Sequence, residues 1–220
     1  MKVREMSFSS YLKEFLLKAG LWYRFDKIRQ SAAVRRWLNS GGKGAAPHSV
    51  KMMIIQAYLK EFSLDQFIET GTYLGDTLGY IAQTGVNCTS IELSTELYGA
   101  ARSRFRSFRN VTLINGDSGS KLPELLHSLD EPALFWLDGH YSAGVTARAD
   151  ADTPISKELD AILRHPIKKH VILVDDVRYF NGMNDYPHLD ELLQILRRDG
   201  TYDVEVSMDI VRAIPRHASS

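Results

Sequence analysis

From residue 66 onward, the hydrophobic positions form short apolar runs separated by amphipathic stretches. The runs are rich in β-branched and aromatic residues and have the length of strands, whereas the stretches between them have the length and polar faces of helices. This pattern predicts strands over 66–70, 87–92, 111–115, 133–137, 170–174, 202–207 and 210–214. It predicts helices over 48–62, 77–84, 95–108, 122–129 and 189–199, and another that begins at Pro154 with Thr153 as its N-cap.

The regular alternation of strands and helices predicts an α/β fold. Helical connections between successive strands produce a parallel sheet with helices on both faces. The last two strands are separated only by the turn at Met208 and Asp209, so we expect them to form an antiparallel hairpin. The predicted fold is therefore a doubly wound, seven-stranded, mostly parallel, Rossmann-like sheet, in which ligands bind beyond the carboxyl ends of the strands.

The first 46 residues differ in character from the rest of the chain. They contain two predicted amphipathic helices, at 8–18 and 21–38, and end in a flexible Gly-rich break at 40–47. Ten Lys and Arg residues accompany three Asp and Glu residues there, whereas residues 47–220 hold 17 basic and 24 acidic residues. We predict a basic helical arm over 1–46 and a globular domain over 47–220. We expect the arm to pack on the domain or on a second subunit, giving a homo-oligomer such as a dimer, with a peripheral membrane contact as the alternative.

The cysteine content and the hydropathy pattern bear on the cellular location. Cys88 is the single cysteine and lies within an apolar run, which favours an inert buried thiol and a reducing compartment. No apolar run has the length of a membrane span, and the N-terminus mixes charged with apolar residues where a signal peptide would be uninterrupted. We therefore expect a cytoplasmic protein.

The turn after the first strand has the chemistry of a ligand-binding turn. Gly71 and Gly75 allow positive φ and a close approach of the backbone to a ligand, and Glu69 ends the strand with a carboxylate. The second strand ends in Glu92, 17 residues after Gly75, which is where an acid that binds a ribose would lie.

Further acids follow the fourth and fifth strands. Asp138 follows one and the Asp175–Asp176 pair follows the other, so three carboxylates are expected at neighbouring strand ends. Clustered oxygen ligands suit Mg²⁺, with Mn²⁺ or Ca²⁺ as substitutes. Consecutive strand residues point to opposite faces, so Asp175 and Asp176 converge only if the strand ends there and the chain turns. Otherwise Asp176 braces the next loop and only Asp138 and Asp175 face the site.

The order of these motifs resembles that of the class I S-adenosylmethionine-dependent methyltransferases. The Glu69-x-Gly71-x-x-x-Gly75 turn is similar to the family's first motif, Glu92 to its ribose acid, 115–118 to its adenine-binding loop, and 134–139 to its fourth motif. The resemblance covers about 67–214. It implies S-adenosylmethionine as the cofactor and a binding set made of Glu69, Gly71, Thr72, Tyr73, Gly75, Glu92, Asp117 and Ser118.

The acids resemble those of the metal-dependent O-methyltransferases, of both the catechol type and the macrocin and mycinamicin type. In that family such acids hold the metal against the hydroxyls of the acceptor, which implies metal ligation by Asp138, Asp175 and Asp176 and a small-molecule or glycan acceptor. His140 would be the general base, or would only hydrogen-bond its loop. The long polar loop 141–152 looks like a lid, and 178–187 would form the opposite wall, so the candidate acceptor contacts are Tyr141, Arg148, Tyr179 and Tyr186, with Phe180 beside them.

Other functions fit the sequence less well. A nicotinamide-dependent dehydrogenase would require a GxGxxG turn, which this chain lacks, and would not favour Glu69 beside a pyrophosphate. The Asn-Pro-Pro-aromatic tetrapeptide of amino-directed nucleic-acid methyltransferases is absent and the domain is acidic, so no nucleic-acid partner is expected. The alternatives that remain are a metal-independent methyltransferase that uses His140 as its base, and a noncatalytic adenosylmethionine-binding scaffold.

Overall fold

The computed structural model of the protein describes residues 22–138, 154–183 and 186–216, with only the backbone for residues 22–30. The chain divides into two compact units, residues 1–51 and residues 52–220. The boundary that the sequence predicts at residue 46 stays a prediction. Among the described helices, none combines the length and the hydrophobicity that a membrane span requires.

The described part of the first unit contains one complete helix. This helix, α1, spans Trp22–Asn39, and the predicted helix at 21–38 agrees with it within a residue at each end. It ends in a turn in which the Gly42 N–H donates to the Trp37 carbonyl at 3.0 Å, with φ of 76° at Gly41 and 70° at Gly42. The glycines of the predicted break therefore terminate the helix, because they adopt the left-handed backbone that other residues avoid.

The second unit alternates strands and helices in the predicted order. Its described strands are β1 Gln66–Thr70, β2 Asn87–Glu92, β3 Val111–Asn115, β4 Leu134–Leu137, β5 Val171–Val174, β6 Tyr202–Ser207 and β7 Ile210–Pro215. The helices are α2 His48–Glu61, which begins in the first unit, α3 Asp76–Ala82, α4 Thr95–Phe105, α5 Ser118–Leu126, α6 Pro154–Arg164 and α7 Leu189–Arg197, with a 3₁₀ turn at Val177–Tyr179.

The described strands form one seven-stranded sheet in the order β3-β2-β1-β4-β5-β7-β6. Strands β1 to β5 are parallel, and β7 runs antiparallel to both β5 and β6. Leu137 at the end of β4 pairs with Thr70 of β1 and with Val174 of β5, so these strands end level with one another. The predicted doubly wound, mostly parallel sheet with a terminal hairpin is confirmed, and the side chains that follow these strands share one edge.

Each face of the sheet is covered by its own helical layer. On one face, residues such as Ile68 and Phe135 pack with α5, α6 and α7, and on the other, residues such as Phe67 and Trp136 pack with α2, α3 and α4. Cys88 lies on β2 and packs against the second of these helical layers, and burial raises the pKa of its thiol to about 12. A thiol with that pKa is not a nucleophile at neutral pH, in line with the inert role predicted for it.

Helix α5 begins at Ser118, earlier than the predicted start at residue 122. Asp117 precedes it with an extended backbone, φ −67° and ψ 125°, as N-cap residues have. The first turn is polar, and the apolar stripe begins only at Leu122, which is completely buried. The hydrophobic pattern therefore locates the packed part of the helix. The start of its polar first turn depends instead on the backbone conformation at Asp117.

Candidate active site

The turn between β1 and α3 has a left-handed backbone at three of its five residues. The φ angles are +85° at Gly71, +48° at Tyr73 and +70° at Gly75. The Gly71 N–H donates to the Ile91 carbonyl at 2.9 Å, and the Gly75 N–H donates to the Thr72 carbonyl at 2.7 Å. Because its chain conformation is fixed by these bonds, the turn presents its backbone at the carboxyl edge of the sheet.

Glu92, at the end of β2, holds this turn in place. Its Oε2 accepts the Tyr73 N–H at 2.8 Å, and its Oε1 accepts the Ser94 N–H at 2.9 Å. The residue is only 4% exposed. A carboxylate has about four acceptor positions, so Glu92 can still accept hydrogen bonds from a hydroxylated ligand. The predicted ribose acid therefore also has a structural role that links the two loops.

Glu69, the penultimate residue of β1, is hydrogen-bonded to a buried pair of hydroxyl groups. Ser90 donates to Oε1 of Glu69 at 2.7 Å, and the hydroxyls of Ser90 and Thr72 lie 2.6 Å apart. When Glu69 is ionised it can only accept, so the Ser90 proton is used on Glu69 and the Thr72 hydroxyl donates to Ser90. The pKa of Glu69 is raised to about 8, chiefly by burial. The Ser90 hydrogen bond acts in the opposite direction, and the charges of Asp138 and Glu92 act in the same direction as burial. A cationic ligand at this edge would favour the ionised form.

The loop between β3 and α5 is tied to the end of β2. The Asn115 side-chain amide donates to the Glu92 carbonyl at 2.8 Å. Asp117 is half-buried, and its Oδ2 accepts the Ser120 hydroxyl at 2.9 Å. The structure thus places Asp117 and Ser118, the predicted adenine-side residues, beside the strand that carries the predicted ribose acid.

Glu158, on α6, is a buried acid that the sequence analysis missed. It is 3% exposed, and its pKa is raised to about 7, chiefly by burial. The hydroxyls of Ser118 and Thr70 lower this pKa, whereas the charges of Asp117 and Asp138 raise it. Among the described residues, the Thr70 hydroxyl has no partner at hydrogen-bonding geometry, although it lies close enough to act on this carboxyl group. A signal existed in the sequence, because Glu158 occupies a position on the apolar stripe of Ile155, Leu159 and Ile162.

Three aspartates meet at the ends of β4 and β5. One carboxylate oxygen from each of Asp138, Asp175 and Asp176 lies within 4.8 Å of the others. Strand β5 ends at Val174, and Asp176 has a left-handed backbone with φ 60° and ψ 44°. The chain therefore leaves the strand geometry before Asp176, which removes the alternation that would have separated the two neighbouring acids. Three converging carboxylates fit a hard divalent cation.

Asp176 also contacts a cation of the protein itself. Its Oδ1 lies 2.8 Å from the Arg178 guanidinium, which also pairs with Asp209 in the turn between β6 and β7. Asp209 accepts the Arg178 backbone N–H at 2.9 Å, and its side chain is 7% exposed. In the sequence, Asp209 is recognisable only as a turn residue, because nothing local connects it to β5.

The segment after the acids presents aromatic rings. Tyr179 and Tyr186, both half-buried, stack with ring centroids 6.0 Å apart, and Phe180 meets Tyr186 edge-on at 5.6 Å. Phe180 is 4% exposed and belongs to the hydrophobic core. Phe180 is thus a core residue and not the acceptor contact that the sequence indicated, whereas Tyr179 and Tyr186 remain candidates.

Several predicted residues lie outside the described part of the chain. They are the candidate base His140, the candidate acceptor contacts Tyr141 and Arg148, and the remainder of the predicted lid. Their roles stay predictions.

No family model and no curated protein matches the sequence. The fold, however, is similar to solved methyltransferase structures. An O-methyltransferase from Bacillus cereus in complex with SAH is 15% identical, with a TM-score of 0.52 over 85% of this chain and 90% of that one. An O-methyltransferase of tomaymycin synthesis from Streptomyces achromogenes, in complex with SAM, is 17% identical, with a TM-score of 0.53 over 86% and 89%. An SAH-bound methyltransferase from Podospora anserina is 16% identical, with a TM-score of 0.56 over 99% and 100%.

At these identities the similarity concerns the fold. It agrees with the strand order, in which an antiparallel β7 lies between β5 and β6. The chain therefore has the fold of the class I S-adenosylmethionine-dependent methyltransferases.

Proposed function

We propose that the protein transfers a methyl group from S-adenosylmethionine to a hydroxyl group of a small acceptor, a sugar, a glycan or a related natural product, with the assistance of a divalent metal. One observation carries this proposal: the acid cluster adjoins the glycine turn. A Cβ added at Gly71 would lie 3.5 Å from the Cβ of Asp138, whose carboxylate belongs to the cluster. A donor held on the turn and a hydroxyl held at the acids would be neighbours.

The donor side of the proposal rests on the residues of β1, β2 and the loop before α5. Glu92 accepts ribose hydroxyls, Asp117 and Ser118 lie on the adenine side, and Glu69 offers a carboxyl group to the ammonium of the donor. Thr72 and Tyr73 contribute through the turn, the first by its bond to Ser90 and the second by its bond to Glu92. The neighbours from Bacillus cereus and Streptomyces achromogenes are described as complexes with SAH and SAM, which supports this donor.

The acceptor side rests on the acid cluster. Asp138, Asp175 and Asp176 would hold Mg²⁺ or Mn²⁺, which, when bound, lowers the pKa of a nearby hydroxyl group and so makes it nucleophilic. The protein itself aligns the hydroxyl oxygen with the methyl carbon for an in-line displacement, in which the O–C bond forms as the C–S bond breaks. Tyr179 and Tyr186 offer ring faces to the acceptor, and His140 is the proposed proton acceptor.

The first test separates the donor from the metal. Calorimetry should show binding of adenosylhomocysteine and no comparable binding of NAD. Methyl transfer to a panel of glycans and polyphenols, followed by mass spectrometry, should stop in excess EDTA and resume with Mg²⁺. Asp175→Asn should lower kcat by at least about 100-fold, because loss of a residue that only hydrogen-bonds to a metal ligand already lowers activity by about 10–100-fold. Its affinity for adenosylhomocysteine should change little.

Asp203→Asn is the matched control. Asp203 lies on the outer strand β6 and its side chain is 72% exposed, so this variant should retain full activity. Full transfer in excess EDTA would contradict the role of the metal and favour the metal-independent reaction with His140 as base. Donor binding without turnover on any acceptor would favour the noncatalytic scaffold.

A further inference from the structure

We infer that Arg178 and Asp209 set the affinity of the acid cluster for its metal, with opposite effects. This inference rests on the proposed metal site. Arg178 is an internal cation that competes with the metal for Asp176, and Asp209 is a second carboxylate that draws this cation away. The β6–β7 turn would thereby control how available the third metal ligand is.

The contacts of Arg178 support this role. One guanidinium nitrogen, Nη1, lies 2.8 Å from Oδ1 of Asp176 and also pairs with Oδ2 of Asp209. The side chains of Asp176 and Asp209 are only 9% and 7% exposed, whereas that of Arg178 is 38% exposed. The two carboxylates are therefore held in place, and the longer arginine side chain shares its charge between them.

The position of Asp209 does not depend on the Arg178 side chain. The Val177 N–H donates to the Asp209 carbonyl at 3.1 Å, and the Arg178 N–H donates to Oδ1 of Asp209 at 2.9 Å. Both bonds use the backbone, so a substitution at position 178 leaves them intact. The guanidinium also lies 4.5 Å from the ring centroid of Tyr179, which holds the side chain over that ring. The charge of residue 178 can accordingly be changed with little change in the turn.

The electrostatic consequence has a definite sign. A positive charge in contact with Asp176 repels an incoming divalent cation and offsets the negative charge of one of its ligands, so its removal strengthens metal binding. Among the described residues, loss of the Asp209 charge leaves Asp176 as the carboxylate that pairs with Arg178, and this weakens metal binding. If Arg178 had only a structural role, loss of either residue would disorder Asp176 and both variants would bind metal more weakly.

The experiment is a calorimetric titration of the EDTA-treated, desalted full-length protein with MgCl₂ and MnCl₂, without donor or acceptor. Arg178→Gln should bind metal about tenfold more tightly than the wild type, and Asp209→Asn should bind it several-fold more weakly. Arg178→Lys retains the charge and should stay within about threefold of the wild type. Arg216→Gln makes the same charge change at the other end of β7, where Arg216 pairs with Asp203, and should not alter metal affinity.

Adenosylhomocysteine affinity, measured on the same samples, shows that each variant is folded. If Arg178→Gln does not fold, Arg178→Met tests the same loss of charge with an apolar side chain that can still pack on Tyr179. Weaker metal binding by a folded Arg178→Gln overturns the inference but leaves the metal site in place. If the wild type binds adenosylhomocysteine and neither the wild type nor Arg178→Gln binds metal, the proposed metal site itself is overturned. Metal binding that appears only in Arg178→Gln supports the inference.

Discussion

Two glycines of the β1–α3 turn have left-handed backbones, but only one of them leaves no room for a side chain. A Cβ added at Gly75 would lie 2.7 Å from Cε2 of Phe105, whereas one added at Gly71 would make ordinary contacts at 3.5 Å or more. Phe105 is 4% exposed and packs edge-on against Phe108, so its ring cannot easily move away. Gly75 is therefore required both by its backbone conformation and by helix α4.

This difference leads to a stability prediction. Gly75→Ala should lower the free energy of unfolding by about 2–4 kcal/mol, from the left-handed backbone together with the overpacking. Gly71→Ala should lower it by only about 1–2 kcal/mol, the backbone cost alone. Urea unfolding measures both. Gly99→Ala, in α4 with open space around the added carbon, is the control and should raise the stability by roughly 0.5–1 kcal/mol. Equal losses at positions 71 and 75 would show that the contact with Phe105 is unimportant.

At the scale of elements, the two edges of the sheet hold different polar chemistry. The carboxyl edge carries acids, whereas two histidines connect α5, β4 and β5 near the amino edge. The Ala133 N–H donates to Nδ1 of His170 at 3.1 Å, so the Nε2 of His170 carries its proton and donates to Nδ1 of His165 at 2.9 Å. The Nε2 of His165 then donates to the Leu126 carbonyl at 3.1 Å. The tautomers of the two rings follow from the backbone groups at the two ends of this hydrogen-bonded pair.

The buried, hydrogen-bonded His170 ring predicts a loss of stability in acid. Burial, followed by the charges of His165 and Lys168, lowers the pKa of His170 from 6.5 to about 4. Below pH 6.5 the unfolded chain takes up a proton at His170 that the folded chain refuses, so the contribution of His170 to stability falls as the pH drops from 6.5 to about 4.

His170→Asn tests this prediction, since Asn retains an acceptor for the Ala133 N–H but has no titrating ring. The variant should be less stable than the wild type at pH 7.5, because it lacks the bond to His165 and the ring contact with Phe135. The difference should narrow by about 2–3 kcal/mol at pH 4.5 in urea unfolding. A difference that does not change with pH would mean that His170 is not the acid-sensitive group.

At the scale of the whole molecule, the contact that the basic arm makes depends on the balance between its charges and its aromatic residues. Residues 1–46 hold ten basic and three acidic residues, and Arg35 and Arg36 at the end of α1 are exposed. A membrane contact would depend on these charges, at roughly 1 kcal/mol per basic residue near an anionic surface. A subunit interface would depend on the aromatic residues of the arm, with the charges at its rim contributing little.

We expect the arm to form a subunit interface. Deletion of residues 1–46 should therefore convert a dimer into a monomer that still binds adenosylhomocysteine, as measured by light scattering and calorimetry. Sedimentation with anionic liposomes distinguishes the alternative, because a membrane contact would give binding that decreases with added salt. A truncated protein that remains dimeric would rule out the arm as the interface.

The sequence by itself determined the strands and the edge of the sheet at which the candidate site lies. The periodicity of apolar residues is a local property, and it located all seven described strands within one residue at each end. Gly71 and Gly75 follow a strand, and Asp138 and Asp175 follow others. Since parallel strands end at one edge, their proximity followed from the predicted topology alone.

Only the tertiary structure decided which of these side chains interact. Asp176 joins the acid cluster because the chain turns into a left-handed conformation, a backbone choice that its residue type permits but does not specify. Asp209 reaches Arg178 across a sequence separation of 31 residues, and Glu158 approaches Ser118 from a different helix. Such contacts arise from the way in which the helices and the final hairpin pack on the sheet. Hydrophobic periodicity predicts which face of an element is buried, but it does not predict which polar group that face contacts.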